Sequence, residues 1–219
     1  VSHELKTPMT SMKVLADSLV GQQGVPEDLY QEFMRDITAE IDRENRIITD
    51  LLTLVKMDKK NADLQIQHMS INQLLEDILK RLRPIADKRN IDLILDSFRP
   101  VEADVDELKF TSAISNLVEN AIKYNVDDGW VRVSLDADHK FFYVTVADSG
   151  MGIPEDSLSR IFERFYRVDK SHSREIGGTG LGLAITRSTI GMHHGVIKVF
   201  SKEGEGTTFS VRVPLSYIP

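Results

Sequence analysis

The hydrophobic period changes once along this chain, near residue 60, and that change limits the fold to two unlike parts. Before it, no segment alternates as a strand would. Leu5, Met9, Met12, Ala16 and Leu19 recur at steps of four and three, the stripe of a helix packed nearly parallel to another helix. The segment GQQGVPED (21–28) interrupts that stripe, with Pro26 placed to begin a second helix. Met34, Ile37, Ile41, Ile48, Leu51 and Val55 then resume the rhythm. Residues 1–60 therefore read as an αα-hairpin. The one fault in the seam is Glu44, a carboxylate where an apolar residue is expected.

Residues equidistant from the loop of an antiparallel hairpin lie side by side, which brings His3 close to Glu44. Ile47, Ile48, Leu51, Leu52, Leu54 and Val55 then exceed what the first helix of the same hairpin can cover. Two short helices also bury too little to stand alone. The expectation is a pair of hairpins forming a four-helix bundle, that is, a homodimer. The chain begins at Val1, inside a helical pattern, and reads as a piece of a longer protein with a truncated first helix.

Beyond residue 60 the pattern is mixed. LQIQHMSI reads as a short strand, 70–88 as a helix, IDLILD as a strand and 106–124 as an amphipathic helix with Leu108, Ala113, Ile114, Leu117, Val118 and Ala121 on its buried face. WVRVSLD and FFYVTVAD alternate cleanly, the second ending at Asp148. A helix over about 181–193 follows, then GVIKVFS and TTFSVRV joined through EGEG as a hairpin. The fold class expected is α+β: the helical hairpin, followed by an α/β sandwich whose mixed or antiparallel sheet is covered by helices on one side. The interval 149–180, rich in Gly, Ser, Arg and Asp, is too long for a passive connector and reads as a lid.

Composition narrows the function. A net charge of -7 argues against a nucleic-acid binder held by phosphate neutralisation. The absence of cysteine excludes disulfides and thiolate metal sites. No run of eighteen apolar residues occurs.

Three constellations carry candidate chemistry. On the helix 106–124, Asn116, Asn120 and Lys123 fall within an arc of about 60°. Two amide oxygens and an ammonium can make a seat for Mg²⁺ and phosphates, although the stripe taken alone reads rather as a solvated polar edge. In DSGMG, Asp148 ends a strand where its carboxylate can accept a hydrogen bond from an exocyclic amine such as adenine's. Gly150 and Gly152 let the backbone approach a flat ligand, and an ordinary glycine turn looks the same. In GGTGLGLAI, Gly177, Gly178, Gly180 and Gly182 run straight into a helix, so that bare N–H groups can surround an anion. A hinge explains mobility but not that density of glycine. His172, His193 and His194 have no metal-like partners in sequence.

Together, SHELKTP, NLVENAIKYN, DSGMGIP, FERFYR and GGTGLGL resemble, in order and interval, the H, N, G1, F and G2 boxes of bacterial sensor histidine kinases. The resemblance covers essentially the whole chain. It implies a dimerisation and histidine-phosphotransfer hairpin over 1–60 and a catalytic ATP-binding domain of the Bergerat type over 61–219, with the lid at about 149–180. By position, His3 is implied as phosphoacceptor, with Glu4 orienting the imidazole or taking its proton. Asn116 and Asn120 are implied as Mg²⁺ ligands, Lys123 as a phosphate contact and Tyr124 as a neighbour of adenine or ribose. Asp148 would read the adenine amine beside Gly150 and Gly152. Gly178, Gly180, Leu181 and Gly182 would line the nucleotide, and Arg167 would reach the γ-phosphate. Phe162 and Phe165 resemble the anchor of the lid. Thr7, with Glu4, fits an E-x-x-T pattern that positions a water for dephosphorylating a partner.

The implied reaction is autophosphorylation of His3 and transfer to an Asp of a response regulator receiver domain docking near Ser11, Lys13 and Val14. The implied setting is the cytoplasmic portion of a membrane-anchored sensor. Pro8 crowds the Glu4 carbonyl, and a bend just below His3 is expected. A standalone ATPase driving a conformational cycle, or a dimeric scaffold with an inactive nucleotide site, are the competing readings. The dimer is checked by light scattering at micromolar concentration. The expected mass is twice the 24.8 kDa of one chain, and a single species at one chain mass overturns it.

Overall fold

The computed structural model describes residues 10, 12–14, 16–19, 26–57, 64–168 and 178–218. His3, Glu4, Thr7, Pro8, Ser11 and Gly177 lie outside them, as does the expected turn of the hairpin.

Residues 12–14 and 16–19 are helical, and Lys13 and Val14 are exposed. Helix α1 spans Glu27–Met57, with Glu27 and Asp28 in its first turn and Lys56 in its last, the arrangement that complements the helix dipole. The Pro26 carbonyl accepts the Tyr30 N–H (3.0 Å), so the helix starts where the proline sets it.

The rest alternates strands and helices. β1 (Ile66–Ser70) runs into α2 (Ile71–Asp87), whose N-cap Ser70 accepts the Gln73 N–H. β2 (Asp92–Ser97) and β3 (Glu102–Asp106) precede α3 (Glu107–Lys123). β4 (Trp130–Ala137), β5 (Phe141–Asp148), the single-turn helix α4 (Glu155–Leu158), α5 (Gly182–Met192), β6 (Val196–Lys202) and β7 (Gly206–Pro214) complete the order.

Five strands form a mixed sheet in the order β2-β4-β5-β7-β6, with β2 parallel to β4 and the other pairs antiparallel. β1 and β3 make a separate antiparallel pair. One sheet face, carrying Val131, Val133, Phe142, Val144, Val146, Phe209 and Val211, is buried in a single core with Leu75, Ile78 and Leu82 of α2 and Phe110, Ile114 and Leu117 of α3. This is the expected sandwich of a mixed sheet with helices on one side. β3 has no counterpart in the sequence reading.

One residue of the expected α3 face is corrected. Leu108 is 78% exposed and Phe110 is fully buried. At 100° per residue Leu108 points about 150° away from the centre of the stripe 110–113–114–117–118–121, so it cannot share that face.

The ends of α3 and α5 are locked together by one buried imidazole. Asp106 caps α3, its Oδ1 accepting the Lys109 N–H at 3.0 Å and its Oδ2 the Gln65 N–H at 2.9 Å. The Asp106 N–H in turn donates to His193 Nε2 at 2.9 Å, while His193 Nδ1 lies 2.8 Å from the Thr189 carbonyl. A carbonyl only accepts, so Nδ1 carries the proton and Nε2 is the free lone pair. The ring edge packs against Phe110 at 5.8 Å.

Helix α1 divides its apolar residues between two directions. Ile47 and Leu54 are buried with Leu181, Ala184 and Ile185, and Leu51, Met57 and Phe165 pack beside them. Met34, Ile41, Ile48, Leu52 and Val55 remain exposed. Among the described residues no helix is long and apolar enough to cross a membrane.

Burial lowers the His193 pKa from its ordinary 6.5. The unfolded chain therefore binds a proton near that value that the folded chain refuses, and stability falls as pH drops below about 6.5. Urea titrations at pH 7.5 and 5.5 are expected to show this loss, at up to about 1.4 kcal/mol per pH unit. His193→Gln removes that part of the slope, and an identical slope in the variant overturns the assignment.

Candidate nucleotide site

Three backbone segments converge on one side of the C-terminal half of α3. The first is the turn after β5. Asp148 ends that strand only 8% exposed. Its Oδ1 accepts the Gly150 N–H (2.8 Å) and the Thr207 N–H (3.2 Å), while Oδ2 makes no hydrogen bond to the described residues. Desolvation pushes its pKa up to about 6, against the pull of those two N–H groups. At neutral pH the group is a buried carboxylate with one oxygen available to an incoming donor.

Gly150 is required by the same turn. A Cβ there would stand 2.4 Å from the Tyr124 carbonyl oxygen, which also accepts the Met151 N–H at 3.1 Å. The Asp148 turn is thereby pressed onto the end of α3, where Tyr124 is the C-cap. Gly152, with φ +71°, lies against the Lys202 carbonyl.

The second segment is the glycine loop 178–182, which enters α5 beside the polar stripe of α3. Asn116 Nδ2 donates to the Gly182 carbonyl at 3.4 Å. A Cβ on Gly178 would fall 2.7 Å from Lys123 Nζ. The Asn120 side chain makes no hydrogen bond to the described residues, and Asn116 keeps its Oδ1. Leu181 is fully buried among Ile47, Leu54 and Ile185, so only its backbone remains for a ligand.

The third segment lies within the expected lid. The Phe165 N–H donates to the Gly180 carbonyl at 2.9 Å, and Arg167 Nη1 donates to the Gly178 carbonyl at 2.8 Å. A Cβ on Gly180, at φ +71°, would meet the Phe165 backbone at 3.0 Å. Phe165 itself holds φ +65°, a left-handed conformation uncommon for an aromatic residue. Phe162 packs edge-on against Phe209 at 6.4 Å, so the two Phe residues anchor in different places.

Charge concentrates here. Burial lowers the Lys123 ammonium to about pKa 8, and Arg167, Arg46 and Arg43 push it the same way while Glu119 opposes them. Arg43 and Arg46 belong to α1. A direct link joins that helix to the loop as well, for Thr179 Oγ1 donates to Asp50 Oδ2 at 2.8 Å and accepts the Leu181 N–H at 3.2 Å.

The structure thus gathers Asn116, Asn120, Lys123, Tyr124, Asp148, Gly150, Gly178, Gly180, Gly182, Phe165 and Arg167 around one end of α3. Sequence reading missed Thr207, the second N–H donor to Asp148, and the whole α1 contribution. For Thr207 no local signal exists, since it meets Asp148 only through strand pairing. The surplus apolar residues 47–55 were the signal for the α1 joint, and they also fit a dimer. Among the described residues no three or more His, Asp or Glu side chains gather to hold a metal alone. Two Asn amide oxygens suit Mg²⁺ only if nucleotide oxygens and water complete its shell, a donor set that fits a metal delivered with phosphates.

A glycine loop entering a helix, a buried carboxylate at a strand end and an amide stripe, on a sheet covered by helices, are arranged as in an ATP-binding domain. The model of the Histidine kinase-, DNA gyrase B-, and HSP90-like ATPase family matches residues 105–217, and that of the His Kinase A (phospho-acceptor) domain matches residues 1–60. The chain belongs to the sensor histidine kinases, as a catalytic portion that joins these two domains. It is 34% identical over 217 residues to the sensor histidine kinase WalK of Bacillus subtilis, covering 98% of this chain and 35% of that protein. It is 35% identical over 214 residues to the sensor-like histidine kinase SenX3 of Mycolicibacterium smegmatis, covering 98% and 56%. The chain thus spans only part of these relatives. The catalytic domain of histidine kinase ThkA superposes with a TM-score of 0.62 at 26% identity, covering 70% of this chain and 99% of that one. ThkA in complex with the response regulator protein TrrA shares the fold at a TM-score of 0.80 and 24% identity, covering 98% and 60%.

Should Asp148 accept an amine of the nucleotide, its need to stay ionised makes affinity depend on pH. Calorimetric titration with adenosine, which lacks the phosphates that Lys123 would contact, is expected to show constant affinity from pH 8 to 7 and a loss approaching about 10-fold per pH unit once pH falls below about 6. Asp148→Asn, which has no such titration, should bind more weakly but with a flat profile. A flat profile in the unmodified chain overturns the role.

Proposed function

We propose that this chain is the ATP-dependent protein-histidine kinase portion of a membrane-anchored sensor, divided into a dimerising phosphotransfer hairpin (1–60) and a catalytic domain (61–219) with a lid at about 149–180. The observation that carries the reading is the meeting of the Asn116–Asn120–Lys123 stripe with the Gly178–Gly182 loop, with Asp148 at the far side.

In this reading Asp148 accepts the adenine amine and Tyr124 lies along adenine or ribose. The backbone of Gly150, Gly152, Phe165, Gly178, Gly180, Leu181 and Gly182 lines the nucleotide. Asn116 and Asn120 hold Mg²⁺, which neutralises phosphate charge when bound. Lys123 and Arg167 take phosphate oxygens, Arg167 stabilising the charge that builds on the transferring group. The neutral imidazole of His3 attacks the γ-phosphorus, the bond to the β-bridging oxygen breaks, and ADP leaves. Glu4 takes the imidazole proton. The phosphoryl group then passes from His3 to an Asp carboxylate of a response regulator receiver domain docked near Ser11, Lys13 and Val14. Glu4 and Thr7 position a water for the reverse regulation, dephosphorylation of that partner. The exposed Met34, Ile41, Ile48, Leu52 and Val55 of α1 support a second copy of the chain as the remaining partner of the hairpin.

Incubation with γ-labelled ATP and Mg²⁺ tests the kinase. Acid-labile, alkali-stable label is expected on the unmodified protein and is lost in His3→Gln and in Asn120→Ala. Steady phosphate release without labelled protein would instead indicate an ATPase cycle, and neither signal an inactive scaffold.

A further inference from the structure

The face of α1 that meets the ATP-binding domain is read in order along the helix. Leu54 and Ile47 fill the apolar joint with Leu181, Ala184 and Ile185, and Asp50 between them accepts the Thr179 hydroxyl. Thr179 stands between two glycines of the loop, so this hydrogen bond places the helix directly against the segment that surrounds phosphate. Arg46 and Arg43 continue the same face, four and seven residues before Asp50, about 6 and 10 Å further along the axis. Both lie close enough to Lys123 to push its ammonium toward the neutral form, in company with Arg167. Cations from both domains therefore meet at the glycine loop.

The surroundings of Arg43 point to an absent acceptor. Its Nε is enclosed by the protein with no hydrogen-bond partner. The same guanidinium reaches Glu40 only at 3.6 Å, through Nη1. A guanidinium offers a planar fork that matches phosphate oxygens, and the outer nitrogens of Arg43, whose side chain is 31% exposed, are the ones that such a ligand can reach.

We propose that Arg43 and Arg46, on the hairpin helix, are further phosphate-binding residues, and that the nucleotide site is completed across the two domains. The proposal rests on the reading of this site as an ATP site. Without nucleotide the arginines approach Lys123 as like charges, and the Glu119 and Asp50 carboxylates, Ile47, Leu54 and the Asp50–Thr179 hydrogen bond oppose the repulsion. A bound triphosphate reverses the sign, and the anion joins the two domains. Adenosine, which lacks phosphate, has no such effect.

Calorimetric titration of the full chain with Mg²⁺–ATP, Mg²⁺–ADP and adenosine tests this, using the unmodified protein, Arg43→Gln, Arg46→Gln and the double variant. The double variant is expected to lose about 10-fold or more in ATP affinity, with adenosine affinity held within about twofold. Its ATP affinity should also fall less steeply with added salt. ATP affinity within about twofold of the unmodified protein overturns the proposal and leaves the ATP site intact. An equal loss for ATP and adenosine also overturns it, since damage to the fold rather than lost phosphate contacts would then be the cause. Failure of the unmodified chain to bind ATP removes the proposal together with the reading beneath it.

Discussion

Asp106 and His193 hold the catalytic half in register. The carboxylate of Asp106 ends α3 and ties Gln65 to it, while its backbone N–H reaches the imidazole that closes α5. Two helices brought together by strand crossovers in different parts of the chain are thus fixed at one end by a bond that only the unprotonated ring can accept. With that end fixed, the opposite ends come together. The Asn116–Lys123 stripe then meets the loop that starts α5, and the Asp148 turn is pressed against Tyr124. The glycine-rich loop is held there by its two side chains, Thr179 on Asp50 and Leu181 in the apolar joint.

The hairpin helix α1 has a double role. Its residues at 47, 50 and 54 face the catalytic domain, whereas 41, 48, 52 and 55 face outward. The two sets are neighbours on one cylinder, so rotating the helix about its axis would change both contacts together. The domain joint and any pairing of hairpins are mechanically linked through a single rigid rod, and Thr179 carries that link into the phosphate loop.

Much of this was legible in the sequence. The alternation of WVRVSLD and FFYVTVAD gave two central strands whose buried residues are those on the expected face. The amide stripe and the glycine loop were readable because their spacing is local to one helix or one turn. What escaped is what depends on distant segments. β3 is five residues with three acids, and its strand character shows only once β1 lies beside it. Thr207 reaches Asp148 through the pairing of β5 with β7. The Asp50–Thr179 hydrogen bond spans 129 residues, and no pattern along the chain encodes it. Leu108 was misplaced for a different reason. Hydrophobicity was allowed to outweigh angle, and the helix obeys the angle.

The order of the sheet has a consequence for how copies of the molecule can associate. Among the described residues β6 pairs with β7 alone, and its other side offers backbone that none of them pairs. Along it Lys198 and Lys202 flank the exposed Phe200. Lysines on a rim strand make the approach of a second, identical strand unfavourable. Growth of the sheet into a continuous ribbon is thereby disfavoured along this rim.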